Sequence, residues 1–225
     1  MADRELMETV ANVPVWDVPT RLFHWVLVAL VLGSYTSAQL DAMQVHKWCG
    51  LAILTLLLFR LMWGFAGGRH ARFSAFVRGP ATVLACFRDL MKKSSARFIG
   101  HNPLGGWSVV FMLIFLLIQA CTGLFANDDA GFEGPLARHV DKETSDFFSH
   151  LHSLNIDIVY VLVALHVAAI LFYLFKKREN LVKPMISGYK SWHRAVEESP
   201  PAHGSVPLAA VLLVIAAGVV YFVVR

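Results

Sequence analysis

This sequence predicts an all-α membrane protein, a four-helix transmembrane bundle with an additional fifth helix at the carboxyl end. Three observations predict it. Apolar residues make up 56% of the 225 and charged ones only 16%, against near half and about a quarter in soluble domains. Five stretches reach the roughly 20 mostly apolar residues needed to cross hydrocarbon: Thr20–Leu40, Lys47–Phe65, Trp107–Ala126, Asn155–Phe175 and Val206–Val224. The segments joining them alternate in charge, one basic and the next acidic. Membrane-spanning strands would instead show alternating segments of about ten residues, and the sequence has no such pattern.

In order along the chain, residues 1–13 read as a short polar tail and residues 14–190 as the four-helix domain. The tail is acidic rather than basic and no small-residue cleavage site follows the first span, so that span is expected to stay rather than act as a cleaved signal. Gly67-Gly68 ends the second span, since glycine tolerates the conformations that stop a helix. From Pro80 to Lys93, Val83, Leu84, Phe87, Leu90 and Met91 recur at three- and four-residue spacing among basic residues, the pattern of a short amphipathic helix on the membrane surface. Gly100-His101-Asn102-Pro103-Leu104 opens the third span, with Asn102 as the cap and Pro103 suited to the first turn. Residues 191–205, with Pro200-Pro201, form a linker, and residues 206–225 are the additional helix.

The net charge of +4 is a topology signal, not a footprint for nucleic acid. Seven basic residues from Arg69 to Arg97 face one acid, Asp89, between the second and third spans, and Lys176, Lys177, Arg178, Lys183, Lys190 and Arg194 follow the fourth. Between the third and fourth spans lie Asp128, Asp129, Glu133, Asp141, Glu143 and Asp146. Lysine and arginine stay on the cytoplasmic side. The amino terminus is therefore expected in the cytoplasm, and the acidic loop and Arg225 outside. Cys49, Cys86 and Cys121 form no C-x-x-C pair and no C-x-x-C-H attachment site, which leaves them as packing or lipid-facing residues.

Ionisable groups within a membrane point to function, and four of the ten histidines fall on or at the ends of spans. On this topology His24 lies near the inner end of the first helix, while His46 and His152 lie at the outer ends of the second and fourth. His166 follows His152 by fourteen residues, about 21 Å deeper at 1.5 Å per residue, and about 40° short of four full turns. Two pairs emerge, His24 with His166 toward the inside and His46 with His152 toward the outside. Paired imidazoles on facing helices suit the two axial positions of a haem iron, so the chain is expected to hold two b-type haems, their irons about 20 Å apart. A single such histidine is as readily a cross-helix hydrogen bonder; four that pair in both depth and angle are not. Zinc is disfavoured because each depth supplies two imidazoles and no thiolate or carboxylate cluster. Gly33, Gly50 and Gly123 are expected to open room for the macrocycle.

Other polar residues have two readings each. Arg21, one turn before His24, and Arg60, toward the inner end of the second span, are placed to bind haem propionates as bidentate partners or to snorkel to headgroups. His101 helps to cap the third helix or touches a propionate or quinone headgroup. Asp157 is an interfacial acid or takes a proton from quinol. His150 lies on the wrong face for the outer iron, and His70, His139, His193 and His203 read as solvated.

The residues also carry a family resemblance. Val15-Trp16-Asp17-Val18-Pro19, followed by Arg21-Leu22-Phe23-His24-Trp25, resembles the first-helix signature of bacterial cytochrome b-561 and nickel–iron hydrogenase cytochrome b subunits. His46-Lys47-Trp48-Cys49-Gly50 with Phe59-Arg60-Leu61 is similar to the second-helix signature, Gly100 to Gly105 to the entry of the third, and His152 with His166 to the spacing on the fourth. The resemblance covers about residues 14–190. It implies a di-haem electron-transfer subunit of the bacterial cytoplasmic (inner) membrane, with the same four ligands and with quinone as one redox partner. The fifth span departs from the four-helix pattern, and the outer region lacks the length and the further histidines of hydrogenase-linked members, so the broader cytochrome b-561 group is favoured. The expected function is electron transfer between the quinone pool and a periplasmic partner, a c-type cytochrome or another redox subunit. The alternatives are a superoxide oxidase-type enzyme coupled to quinone and the membrane anchor of a hydrogenase-like complex.

Overall fold

The computed structural model describes residues 11–90, 92, 98–192 and 204–225. Most of the expected tail and linker, with His193, His203, Pro200-Pro201, Met91, Lys93 and Arg97, lies outside the described residues. Five long apolar helices are α1 (Val18–Gln39), α2 (Met43–Ala66), α5 (Pro103–Gly123), α6 (Lys142–Phe175) and α8 (Val206–Val224). Between them come the short α3 (Phe73–Phe76), α4 (Pro80–Leu90) and α7 (Val182–Ser187). The all-α membrane bundle expected from the pattern is the observed architecture.

The sequence marks the starts of four of the long helices with the same device, a side-chain oxygen accepting the orphan N–H three residues on. Asp17 takes Thr20 N at 2.9 Å, Asn102 takes Gly105 N at 2.6 Å, Asp141 takes Thr144 N at 2.7 Å and Ser205 takes Leu208 N at 3.4 Å. A proline in the first turn follows three of these caps. Because Asp141 caps so early, α6 begins at Lys142 rather than at Asn155, and His152 sits well inside a continuous helix. Hydropathy finds only the stretch that must lie in hydrocarbon, whereas hydrogen bonding carries the helix past it. The Gly67 C-cap does not use left-handed backbone, its φ being −74°. Glycine is needed there for room: a Cβ would come within 2.5 Å of Trp63 O and 2.7 Å of the Trp63 ring.

Helix α2 is the most buried span and forms the centre, packing on α1, α5 and α8, while α6 packs mainly on α5 and is the least buried span. The core runs along α2 through Ile53, Leu57, Phe59 and Trp63, joined by Phe23, Leu113, Leu116, Val159, Ala209 and Ala216. One element lies outside the sequence expectations, an antiparallel ribbon of β1 (Ala11–Pro14) and β2 (Tyr189–Trp192), with Val13 opposite Lys190. It draws residues 11–13 of the expected tail and 191–192 of the expected linker into a paired structure. The ribbon continues as Val15 N donating to Gly188 O at 2.8 Å. Trp25 Nε1 donates to Met185 O at 3.1 Å, and Arg21 Nη1 donates to Ile186 O. The basic ends of α1 and α6 are thereby laced together through the segment that follows α6.

Candidate functional site

The four intramembrane histidines meet as two pairs. His24 of α1 and His166 of α6 have ring centroids 6.5 Å apart with planes at 52°; His46 of α2 and His152 of α6 stand 6.1 Å apart at 83°. Two imidazoles on opposite sides of one metal stand about 6.4 Å apart, given metal–nitrogen bonds of about 2 Å and about 1.2 Å from ring centre to nitrogen. Both pairs fit that spacing. Among the described residues no three His, Cys, Asp or Glu side chains converge on one point, so each depth offers two nitrogens, as the axial positions of a haem require.

The tautomers at the acidic end suit ligation. A backbone carbonyl only accepts, so His46 Nδ1, 2.9 Å from Ser34 O, and His152 Nδ1, 2.9 Å from Gln119 O, each carry the proton. The lone pair is then on Nε2, the arrangement by which an outer hydrogen bond orients a metal-binding imidazole. A second layer braces His152. Gln119 Nε2 donates to His152 O at 3.1 Å, and Asn155 Nδ2 donates to Gln119 Oε1 at 2.6 Å and to Phe115 O at 2.9 Å. Asn155 is only 5% exposed. Sequence reasoning missed Ser34, Gln119 and Asn155; the available signal was that uncharged polar groups inside spans must find partners.

At the basic end several polar atoms are enclosed without a partner: His24 Nδ1, Arg21 Nε, Arg60 Nη1 and His101 Nδ1. Arg60 is 3% exposed. Its Nη2 donates to Ala71 O at 3.0 Å, and its guanidinium lies 5.3 Å from the centroid of the Phe73 ring. It is buried within the bundle and does not snorkel. Arg21 stands one turn from His24, as the sequence placed it, but uses Nη1 on Ile186 O. His101 lies between Trp16 and Phe76, with centroids 4.6 and 5.0 Å away. Burial, then the nearby Arg60 charge, pushes its pKa down to about 3, so the ring is neutral at physiological pH. The helix cap is Asn102, not His101. Asp17, 3% exposed, joins α1 to α2 by accepting from Trp63 Nε1 and Gly68 N, each at 3.2 Å.

The glycines divide. Gly50 faces open space, a Cβ on Gly33 would make only ordinary contact with Cys49 Sγ at 3.5 Å, and a Cβ on Gly123 would come within 2.9 Å of the His152 ring. Of the three, Gly123 is the one required for room, and the room it makes is for a histidine ring. Asp157 and His150 are exposed on α6. The three cysteines are free. In the acidic loop Asp128 accepts from Ala130 N at 2.8 Å and Phe132 N at 2.9 Å. These backbone N–H groups hold its carboxyl below the usual carboxylate range, and Thr144 does the same for Asp141. Lys142 bridges Asp129 and Asp146.

Comparison with known proteins agrees with the sequence resemblance. The family model described as prokaryotic cytochrome b561 matches residues 15–188, which leaves α8 outside it. The chain is 21% identical to the probable Ni/Fe-hydrogenase B-type cytochrome subunit of Rhodobacter capsulatus, covering 85% of this chain and 87% of that protein. It is 25% identical to the subunit of the same name in Azotobacter chroococcum mcd 1, covering 78% and 87%. To the probable superoxide oxidase CybB of Yersinia pestis it is 22% identical, covering 72% and 90%. No solved structure gives a significant match.

Proposed function

This chain belongs to the prokaryotic cytochrome b561 family of b-type haem proteins in membrane electron transport, and from that premise we propose that it holds two haems and carries electrons between quinone and a basic redox protein. His24 with His166 would hold one haem and His46 with His152 the other. The observation that carries this is the recurrence of one ring spacing, 6.5 and 6.1 Å, at two depths about 21 Å apart along α6. Each bound haem supplies a one-electron iron couple. The chain holds the rings at fixed spacing, directs Nε2 of His46 and His152 inward, and excludes water with the packed α2 core.

At the basic end the enclosed, unpartnered Arg60 Nη1 and Arg21 Nε are the donors that would take haem propionates, and His101 Nδ1 is a further enclosed atom without a partner there. An unpaired buried guanidinium nitrogen is costly, and a carboxylate is the partner that satisfies it. The charge asymmetry supports a basic end in the cytoplasm and an acidic end in the periplasm, across a bacterial cytoplasmic membrane, with the amino terminus inside and Arg225 outside. The acidic end then favours a basic partner such as a c-type cytochrome. It disfavours the superoxide reading suggested by the Yersinia relative, because superoxide is an anion. The names of the hydrogenase relatives keep a docked redox subunit as the other choice of partner.

The test is haem stoichiometry with a potentiometric titration of the reduced-minus-oxidised spectrum. Two haems per chain and two transitions are expected, and His166→Ala should keep one of each. A variant retaining both transitions would overturn the ligand assignment.

A further inference from the structure

We infer that the cleft between the end of α2, the turn into α3 and the start of α8 binds the headgroup of an anionic glycerophospholipid. The cleft has a volume of about 460 Å³, and the polar side chains among its described lining residues are Arg69, Arg72, Ser74 and Ser205, none of them a carboxylate. Arg69 has no hydrogen-bond or ion-pair partner among the described residues. Arg72, which also lines the cleft, is held in place by Nε donating to Gly67 O at 2.8 Å. The N-terminal turn of α8 adds a partial positive charge on the same side. Two guanidinium groups, two hydroxyls and a helix start form an environment that a phosphate completes.

The other wall selects a lipid over free phosphate. Ala66 and Leu208 line the cleft on its apolar side, and Phe65 and Val206 beside it are 76% and 57% exposed. Both belong to spans, so this apolar rim runs directly into the bilayer-facing surface. Because α2 ends and α8 begins here, the cleft lies at headgroup depth, and it is at the basic end, where anionic lipid is attracted. The walls are fixed relative to each other. Gly204 sits so close to α2 that a Cβ would come within 2.3 Å of the Trp63 ring and 2.8 Å of Gly68 N. A headgroup here ties α8 to the bundle, which gives the additional helix a specific lipid contact. The inference is independent of the haem ligands, since none of the four histidines lines the cleft.

The experiment is native mass spectrometry of the full holoprotein in detergent, titrated in parallel with dioleoyl phosphatidylglycerol, dioleoyl phosphatidylethanolamine and sodium phosphate. Phosphatidylglycerol should be retained about 25-fold more than phosphatidylethanolamine, at about fivefold for each of the two basic residues near an anionic headgroup. Arg69→Gln should cut that preference about fivefold. Arg88→Gln, the same charge change on exposed α4, should leave it intact. Leu208→Trp, which fills the cleft without changing charge, should lower retention of phosphatidylglycerol with haem content unchanged. Equal retention of the two lipids overturns the inference. So does an equal effect of Arg88→Gln, or an Arg69-dependent site that inorganic phosphate fills as readily as lipid.

Discussion

Position 123 shows how closely the acidic-end site is built, because one methyl group there meets the His152 ring at 2.9 Å. Gly123→Ala must move the ring or part α5 from α6, an overpacking of about 1–3 kcal/mol. Redox titration of that variant should lose or shift the transition assigned to His46 and His152 while the other stays in place; two unchanged transitions would show that the ring has slack. Asn155 acts one step further out, since Asn155→Leu leaves Gln119 Oε1 without its donor and takes the side-chain donor from Phe115 O. It should lower haem retention on heating and shift the same midpoint, whereas a structural role alone would move stability and leave the potential where it was. The histidines themselves were legible, because an imidazole in hydrocarbon needs a reason and the fourteen-residue interval on α6 supplies a geometry. Ser34, Gln119 and Asn155 were not. Hydroxyls and amides are common between membrane helices, and what distinguishes these three is the tertiary neighbour, which no one-helix pattern contains.

Helices and their ends explain why the pairs form at all. The bilayer fixes the length of a span, and caps such as Asn102 with Pro103 mark its start, so five spans and the surface helix α4 could be read directly from the chain. The ribbon of β1 and β2 could not. Each strand has four residues, too short for an alternation signal, and the two pair across almost the whole chain. It nonetheless laces the basic ends of α1 and α6, which carry His24 and His166. Asp17 has a parallel role between α1 and α2, capping one helix while holding Trp63 Nε1 of the other and Gly68 N just past its end. Asp17→Ala should cost about 1 kcal/mol for the cap and about 1–3 kcal/mol more for buried donors left unpaired. The midpoint of thermal haem loss should fall accordingly. A midpoint equal to that of the parent protein would mean that Asp17 bears no load between the helices.

The whole molecule is a dipole of side-chain charge along the bundle axis, basic where α2 ends and α6 gives way to α7, and acidic between α5 and α6. A basic electron carrier approaching the acidic end is drawn in over about 30 Å at low salt but only about 8 Å at physiological ionic strength. Its exchange rate should therefore fall about tenfold or more between low and physiological ionic strength. The loop's own hydrogen bonds set the pH window. Backbone donors hold Asp128 and Asp141 below the usual carboxylate range. A carboxyl with a depressed pKa is anionic at every pH above that lowered value, so acidifying from neutrality to about pH 4 leaves both charges in place. Only below that, as pH falls through the depressed values, should their contribution disappear. Stopped-flow mixing of the reduced protein with a basic c-type cytochrome, across a salt series at pH 7 and again near pH 4.5, reads both effects. Charge-guided docking requires a salt slope at pH 7 that persists near pH 4.5. A rate indifferent to salt at pH 7 would remove the acidic end as the docking face while leaving the haem-ligand proposal untouched, because the histidine pairs lie within the bundle and none of them belongs to that loop.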